Sequence, residues 1–278
     1  MNNETISELE KKAIELRKTA LSMIYQAKSG HPGGSLSAAD IITVLYFHQL
    51  NLRPEQPGWA DRDRFVLSKG HVCPILYSAL ALRGYMSMDN IGTLRKKGSM
   101  FQGHPDMKHC PGIDISTGSL GQGLSCAVGM ALASKRDRPS VNVYSLVGDG
   151  ECNEGQIWEA AQTCSKYGLD NMVVFVDNNN LQNDGCCDDI MPTLDIGKKF
   201  EAFGFETYRV DGHDIAALLE VLEKIGKTRG NGLPKCVIAT TVKGRGVSFM
   251  ENVPSWHGMA PNEEQYKQAI AEIEGGLK

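Results

Sequence analysis

An acid and an amide that follow two apolar runs are the residues best suited to hold a metal ion. Val147-Gly148-Asp149-Gly150 closes the run Val141-Asn142-Val143-Tyr144-Ser145-Leu146, and Asn179 lies in Asp177-Asn178-Asn179-Asn180 directly after Met172-Val173-Val174-Phe175-Val176. Asp149 offers a charged oxygen and Asn179 a neutral amide oxygen; a main-chain carbonyl near Leu181 would complete a set of hard donors. Such a set suits Mg²⁺, which commonly binds through one or two protein groups together with phosphate oxygens. Gly148 and Gly150 let the backbone approach phosphates, and amides at the helix start after Gly155 favour an anion. A Gly-Asp-Gly turn alone is a weak signal. Its specificity comes from the strand before it and the second strand-end cluster thirty positions later.

The histidines are the second chemical resource. His31, His71, His104 and His257 each stand beside Pro or Gly in loop-like contexts, which makes a place inside a helix core less natural for them. None forms His-Glu-x-x-His or a Cys/His spacing of the zinc type. Their other use is as neutral donors and proton carriers around carbonyl or hydroxyl oxygens. Each taken alone is equally well a structural residue. His48, at a helix end, and His213, expected to cap a helix, have structural readings, and His109 stays open.

These groups can meet only if the elements between them bring strand ends to one edge. Apolar residues at near-helical spacing over 4–28 predict an amphipathic helix, then a sharp loop at His31-Pro32-Gly33-Gly34-Ser35 and a second helix over 38–48. Asp40 falls in that helix's first turns, where its charge suits the positive end of the dipole. A strand at 64–68, a helix at 74–84, an irregular stretch at 98–119 and a small-residue helix through about Arg136 follow. The second half alternates: strand 141–147, helix 155–167, strand 172–176, helix 194–203, strand 205–210, helix 213–228, strand 235–241, loop 244–258 and helix 261–273. Continuous apolar strands separated by helices predict an α/β fold, a mostly parallel central sheet with helices on both faces, in one domain over 1–278. In a right-handed crossover the strands before Asp149 and Asn179 release their ends at the same edge, where ligands of open α/β sheets collect. Gly118-Ser119-Leu120-Gly121-Gln122-Gly123 superficially suggests a dinucleotide loop, but no strand precedes it.

Composition narrows the function classes. With 41% apolar residues a sizeable core is expected, and a net charge of −4 without a basic stripe argues against nucleic acid. The start, Met1-Asn2-Asn3-Glu4, is polar with no apolar segment behind it, so neither a signal peptide nor a membrane span is expected and the cytoplasm is the expected compartment. Eight cysteines in a chain of this size, several within apolar segments, are read as reduced thiols, and Cys186-Cys187 lacks a second pair for zinc.

Together the motifs resemble the N-terminal, diphosphate-binding part of transketolase. The resemblance runs through Ser29-Gly30-His31-Pro32-Gly33, Asp63 to His71, Gly103-His104-Pro105, Thr117 to Gly123, Gly148 to Gly155, Asp177 to Leu181 and Trp256-His257-Gly258. It implies thiamine diphosphate with Mg²⁺ or Ca²⁺. In that reading Asp149, Asn179 and the Leu181 carbonyl hold the metal; His71, Gly150 and His257 contact the diphosphate; Gly118 and Leu120 lie near the aminopyrimidine. His31, His104 and His257 face the sugar, and Glu154 is both a catalytic and a cofactor-side residue in the network joining paired active sites, with Glu159 beside the interface. The implied activity transfers a two-carbon ketol unit from a ketose phosphate to an aldose phosphate. Family enzymes add a pyrimidine-binding and a C-terminal domain, so the resemblance implies a separately encoded C-terminal subunit, two copies of each. Ser119, Lys69, Val72-Cys73 and Cys152-Asn153 depart from the family pattern and leave the sugar open. The alternatives are another thiamine-diphosphate enzyme subunit, of the deoxyxylulose-phosphate synthase or 2-oxoacid dehydrogenase type, and a noncatalytic subunit.

Overall fold

Apolar residues on consecutive positions of short runs need cover on two faces, and the computed structural model, which describes residues 3–276, supplies it. Helices α1 (Asn3–Ala27), α2 (Pro32–Ser37), α3 (Ala39–Val44) and, after strand β1 (Arg64–Leu67), α4 (Cys73–Leu82) form the first half. Then come α5 (Gln122–Asp137), β2 (Val143–Gly148), α6 (Gly155–Lys166), β3 (Met172–Asn178), α7 (Cys187–Ile190) and α8 (Ile196–Ala202). The chain continues with β4 (Glu206–Asp211), α9 (Ile215–Lys227), β5 (Lys235–Thr240) and α10 (Glu263–Glu274). The five strands pair in parallel in the order β1-β2-β3-β5-β4.

The two-residue period of a strand sorts its side chains between two cores. Phe65, Leu67, Tyr144, Leu146, Val173, Phe175, Val237 and Ala239 join a core with α1, α3, α4 and α9. Val66, Val143, Val147, Val174, Val176, Cys236 and Ile238 point the other way, to α5, α6 and α8. A smaller apolar cluster of Leu21, Leu36, Val247, Met250, Trp256, Ala269 and Ile273 fastens α10 and the 247–256 loop to α1.

The pairing register levels the strand ends. Gly148 lies opposite Asp177, and Asn178 opposite Thr240. Residues just past β2, β3 and β5 therefore emerge side by side, with the end of β1 next to that of β2.

Several expectations need correction. Pro32 does not sit in a loop: it occupies the first turn of α2, where its missing N–H costs nothing, and Ser35 Oγ donates back to the His31 carbonyl. The helix expected over 38–48 is α3 followed by a wider-turn helical segment, Leu45–Gln49. Asp40 does fall in the first turn of α3, but its carboxylate is buried in a bidentate pair with Arg17 rather than left to serve the dipole. His213 does not cap α9. Asp214 does, accepting from Ala217 N, while His213 bridges the Asp40 carboxylate and the Val242 amide. The helix expected from 194 begins at Ile196, capped by Asp195. The stretch 98–119 is irregular, as its Gly, Pro and His content predicts. Among the described residues no helix is long and apolar enough to cross a membrane.

Candidate functional site

The levelled ends of β1, β2, β3 and β5 surround a cavity of about 340 Å³. Lys69 and His71 come from the β1 end, Gly148, Asp149, Gly150 and Glu154 from the β2 end, Asn179 and Leu181 from β3, and Lys243 and His257 from beyond β5. Leu120 forms a side wall and Met191 another.

Asp149 is nearly inaccessible, and its carboxylate accepts from the amides of Gly150 at 2.7 Å and Asn180. That second bond ties the β2 end directly to the β3 end. Burial, helped by the nearby charge of Asp177, pushes the Asp149 carboxyl up to about 6, and Lys69 offsets this only in part. Asn179 is also buried, its Oδ1 accepting from Leu181 N at 3.1 Å, which orients the amide oxygen and holds the following turn. Asn180 takes a positive φ of 58° to make that turn, a conformation asparagine tolerates better than most residues. The donors in this corner are a carboxylate, an amide oxygen and main-chain carbonyls, all hard oxygens, so the residues present fit a hydrated Mg²⁺ or Ca²⁺. Among the described residues there is no group of three or more His, Cys, Asp or Glu side chains that could hold an ion.

Asp177, one residue before the β3 end, is fully buried but well partnered. It accepts from Lys69 Nζ at 2.5 Å, from Ser37 Oγ at 2.6 Å and from Thr241 Oγ1. Burial pushes its carboxyl upward, yet the Lys69 ammonium outweighs this and holds it below the ordinary range.

Lys243 is the site residue that sequence reasoning missed. Its ammonium donates to the carbonyls of Leu181 and Gln182, both at 3.0 Å, and lies 2.8 Å from His257 Nδ1. Burial, reinforced by Lys69, lowers its pKa to about 8. The available signal was positional: Thr241-Val242-Lys243-Gly244 leaves β5 at the same edge as the metal-type motifs.

Three of the four loop histidines meet. The rings of His31 and His71 are 5.0 Å apart, His31 and His257 5.3 Å, and His71 and His257 5.1 Å. Burial lowers all three, His31 to about 4 and His257 to about 3, so they are neutral near pH 7. Because Lys243 can only donate, His257 Nδ1 accepts and its Nε2 carries the proton. His31 Nδ1 is buried with no hydrogen-bond partner, and His31 itself packs on His71 and His257 outside the cavity lining.

His104 is exposed and packs on Gly118, at the rim rather than in the cavity lining; a Cβ on Gly118 would come 3.0 Å from the imidazole. Gly118 itself has a φ of 148°, and it too lies outside the lining, whereas Leu120, two residues on, is inside it. Glu154 lines the cavity and is exposed just before α6; Glu159 is exposed on α6. Tight packing fixes the frame around these groups. A Cβ on Gly34 would come 2.6 Å from Val72, and one on Gly70 2.7 Å from Thr117 Oγ1.

Residues 9–274 match the family model described as transketolase, thiamine diphosphate binding domain. The chain is 43% identical over 267 residues to the 6-deoxy-6-sulfo-D-fructose transketolase subunit SqwG of Clostridium sp. (strain MSTE9), covering 96% of each. It is 39% identical to an apulose-4-phosphate transketolase subunit of Phocaeicola vulgatus, covering 96% of this chain and 94% of that one. Human transketolase is 40% identical over 275 residues, but these are 98% of this chain and 43% of the human one. Among solved structures, the transketolase of Campylobacter jejuni superposes with a TM-score of 0.91 at 35% identity, over 99% of this chain and 43% of that one. That of Leishmania mexicana gives 0.90 at 32% identity, over 96% and 41%. The chain thus spans about two fifths of these solved structures.

Proposed function

From a chain that belongs to the transketolase thiamine-diphosphate-binding family, we infer the cofactor-holding subunit of a two-part ketol transferase. It moves a two-carbon ketol unit from a ketose phosphate to an aldose phosphate, together with a separately encoded C-terminal subunit, two copies of each. The observation that carries this reading is the convergence of Asp149, Asn179 and the Leu181 carbonyl with His71, Gly150 and His257 around one cavity. Two relatives of matching length, named as transketolase subunits, support a division into separate chains.

In this reading Asp149, Asn179 and the Leu181 carbonyl hold Mg²⁺ or Ca²⁺, and His71, Gly150, Asn179 and His257 meet the diphosphate. Gly118 and Leu120 stand on the aminopyrimidine side, and Glu154, on the cofactor side of the cavity, belongs to the network joining paired active sites. When bound, thiamine diphosphate supplies a nucleophilic carbon and an electron sink. The protein's share is orientation and proton transfer. Neutral His257 offers an Nε2–H as donor, fixed by Lys243 on its other nitrogen. His31 and, at the rim, His104 receive and return protons at the sugar oxygens. Leu120 lines one side of the cavity and would give the cofactor an apolar contact there.

The deciding experiment purifies the tagged chain with its co-purifying partner and measures transfer from xylulose 5-phosphate, a sulfonated ketose and pyruvate. Ketose-dependent transfer that requires thiamine diphosphate and Mg²⁺ is the expected result. Turnover with pyruvate alone would replace this reading with another thiamine-diphosphate activity, and cofactor binding without any turnover would leave a noncatalytic role.

A further inference from the structure

Glu151 has no part in the assignments above, yet it is a buried carboxylate, 3% exposed, at the centre of the cavity's framework. Its Oε1 accepts from Ser68 Oγ at 2.5 Å and from the Gly121 amide at 2.9 Å; its Oε2 accepts from the Gly148 amide at 3.0 Å. These donors lie on three segments far apart in sequence. Ser68 adjoins Lys69 and His71 at the β1 end, Gly121 follows the wall residue Leu120, and Gly148 is the last residue of β2 before Asp149.

We propose that Glu151 is a positioning residue, a carboxylate clasp that sets the Leu120 wall and the β1 end against the Gly148–Gly150 floor in the spacing that admits thiamine diphosphate. The proposal rests on the cofactor reading above. Both carboxylate oxygens are occupied by framework donors, so Glu151 acts through the groups it holds and takes no proton in the reaction. The approach it enforces is close: a Cβ on Gly123 would lie 2.7 Å from Ser68 Cα. A neutral side chain cannot replace it. Glutamine has one acceptor oxygen and one NH₂, so one of the three N–H or O–H donors faces another donor. Burying a charge to make these bonds is costly, and the arrangement is explained by the need for acceptors on both sides of one planar group. A clasp that merely capped the turn at Gly150–Asn153 would need none of the bonds to Gly121 or Ser68.

The test compares E151Q with the parent in the purified two-subunit complex, titrating thiamine diphosphate at fixed Mg²⁺ and following tryptophan fluorescence. Loss of one charge-assisted bond predicts a cofactor Kd about tenfold or more higher. At saturating cofactor, kcat should stay within about threefold and the ketose KM should be unchanged, because the preformed arrangement is then restored by binding. S68A, which removes one donor and leaves both backbone bonds, should shift the Kd in the same direction by less. It decides the matter if E151Q does not fold. A Kd within about twofold of the parent for the folded variant, whatever its melting temperature, overturns the proposal. A raised ketose KM at saturating cofactor overturns it as well. If the parent complex itself binds no thiamine diphosphate, the cofactor reading falls first and this inference with it.

Discussion

At the residue scale the site is governed by burial of groups that would rather be charged. His31 and His257 have pKa values lowered to about 4 and about 3, first by desolvation and then by the cations Arg95 and Lys243 respectively. Their ring resonances should therefore keep neutral-form shifts from pH 8 down to 5, which histidine-labelled NMR would read directly. The linkage has a definite sign. The unfolded chain binds protons at these positions below about 6.5 while the folded chain does not, so this stability contribution is present above 6.5 and is lost as pH falls toward 4. His31→Asn should accordingly lose less stability than the parent between pH 6.5 and 4.5, measured by urea midpoints. The difference should exceed the ~1.4 kcal/mol that one pKa unit carries. Asp149 stands in the opposite condition, an anion raised to about 6 that a cation would relieve. Asp149→Ala should weaken metal-dependent cofactor binding beyond the roughly 10–100-fold typical of losing an outer partner of a metal ligand; unchanged calorimetric affinity would remove Asp149 from the metal set.

At the element scale, much of the sheet could be read directly from residue order. Continuous apolar runs of the β2 and β3 kind announce buried parallel strands, and the Asp149–Asn179 convergence followed from their adjacency. The short helices were harder to read. Pro32-Gly33-Gly34-Ser35 has poor helix propensity, yet it is helical because small residues let α2 pack within reach of Val72 and Lys243. His213 looked like a cap because it precedes a helix; its partners, Asp40 and Val242, are distant in sequence and invisible to local pattern. Lys243 was missed for the same reason. Its ammonium pins the Leu181–Gln182 turn from across the sheet edge. Lys243→Met should free that turn, raising hydrogen exchange of the backbone amides over 181–191 roughly tenfold while α5 and α9 keep their protection. Close packing gives another check at this scale. Gly123→Ala places a methyl against the Ser68 backbone in a well-filled interior, with an expected loss of about 1–3 kcal/mol in denaturant unfolding.

For the molecule as a whole, the cavity is walled by four strand ends and open beyond them, with Glu154 exposed at the opening. If a second subunit completes the site, this chain alone should show no ketol transfer, and adding the partner should restore it. Native mass spectrometry of the active complex should then give two copies of each chain, as expected for a symmetric assembly with sites at chain boundaries. One copy of each would contradict that stoichiometry.

Strand order also governs when the site can exist. The neighbour that flanks β3 opposite β2 is β5, whose residues come after β4 and α9 in the chain. During synthesis Asp149, Asn179 and the Leu181–Gln182 turn leave the ribosome before Lys243, which braces that turn, and before the imidazole of His257. A nascent chain stalled before β5 therefore carries its oxygen donors on an unfinished sheet with β3 at the margin. If this cavity holds the cofactor, capture would wait until residues 235–257 have joined the sheet edge.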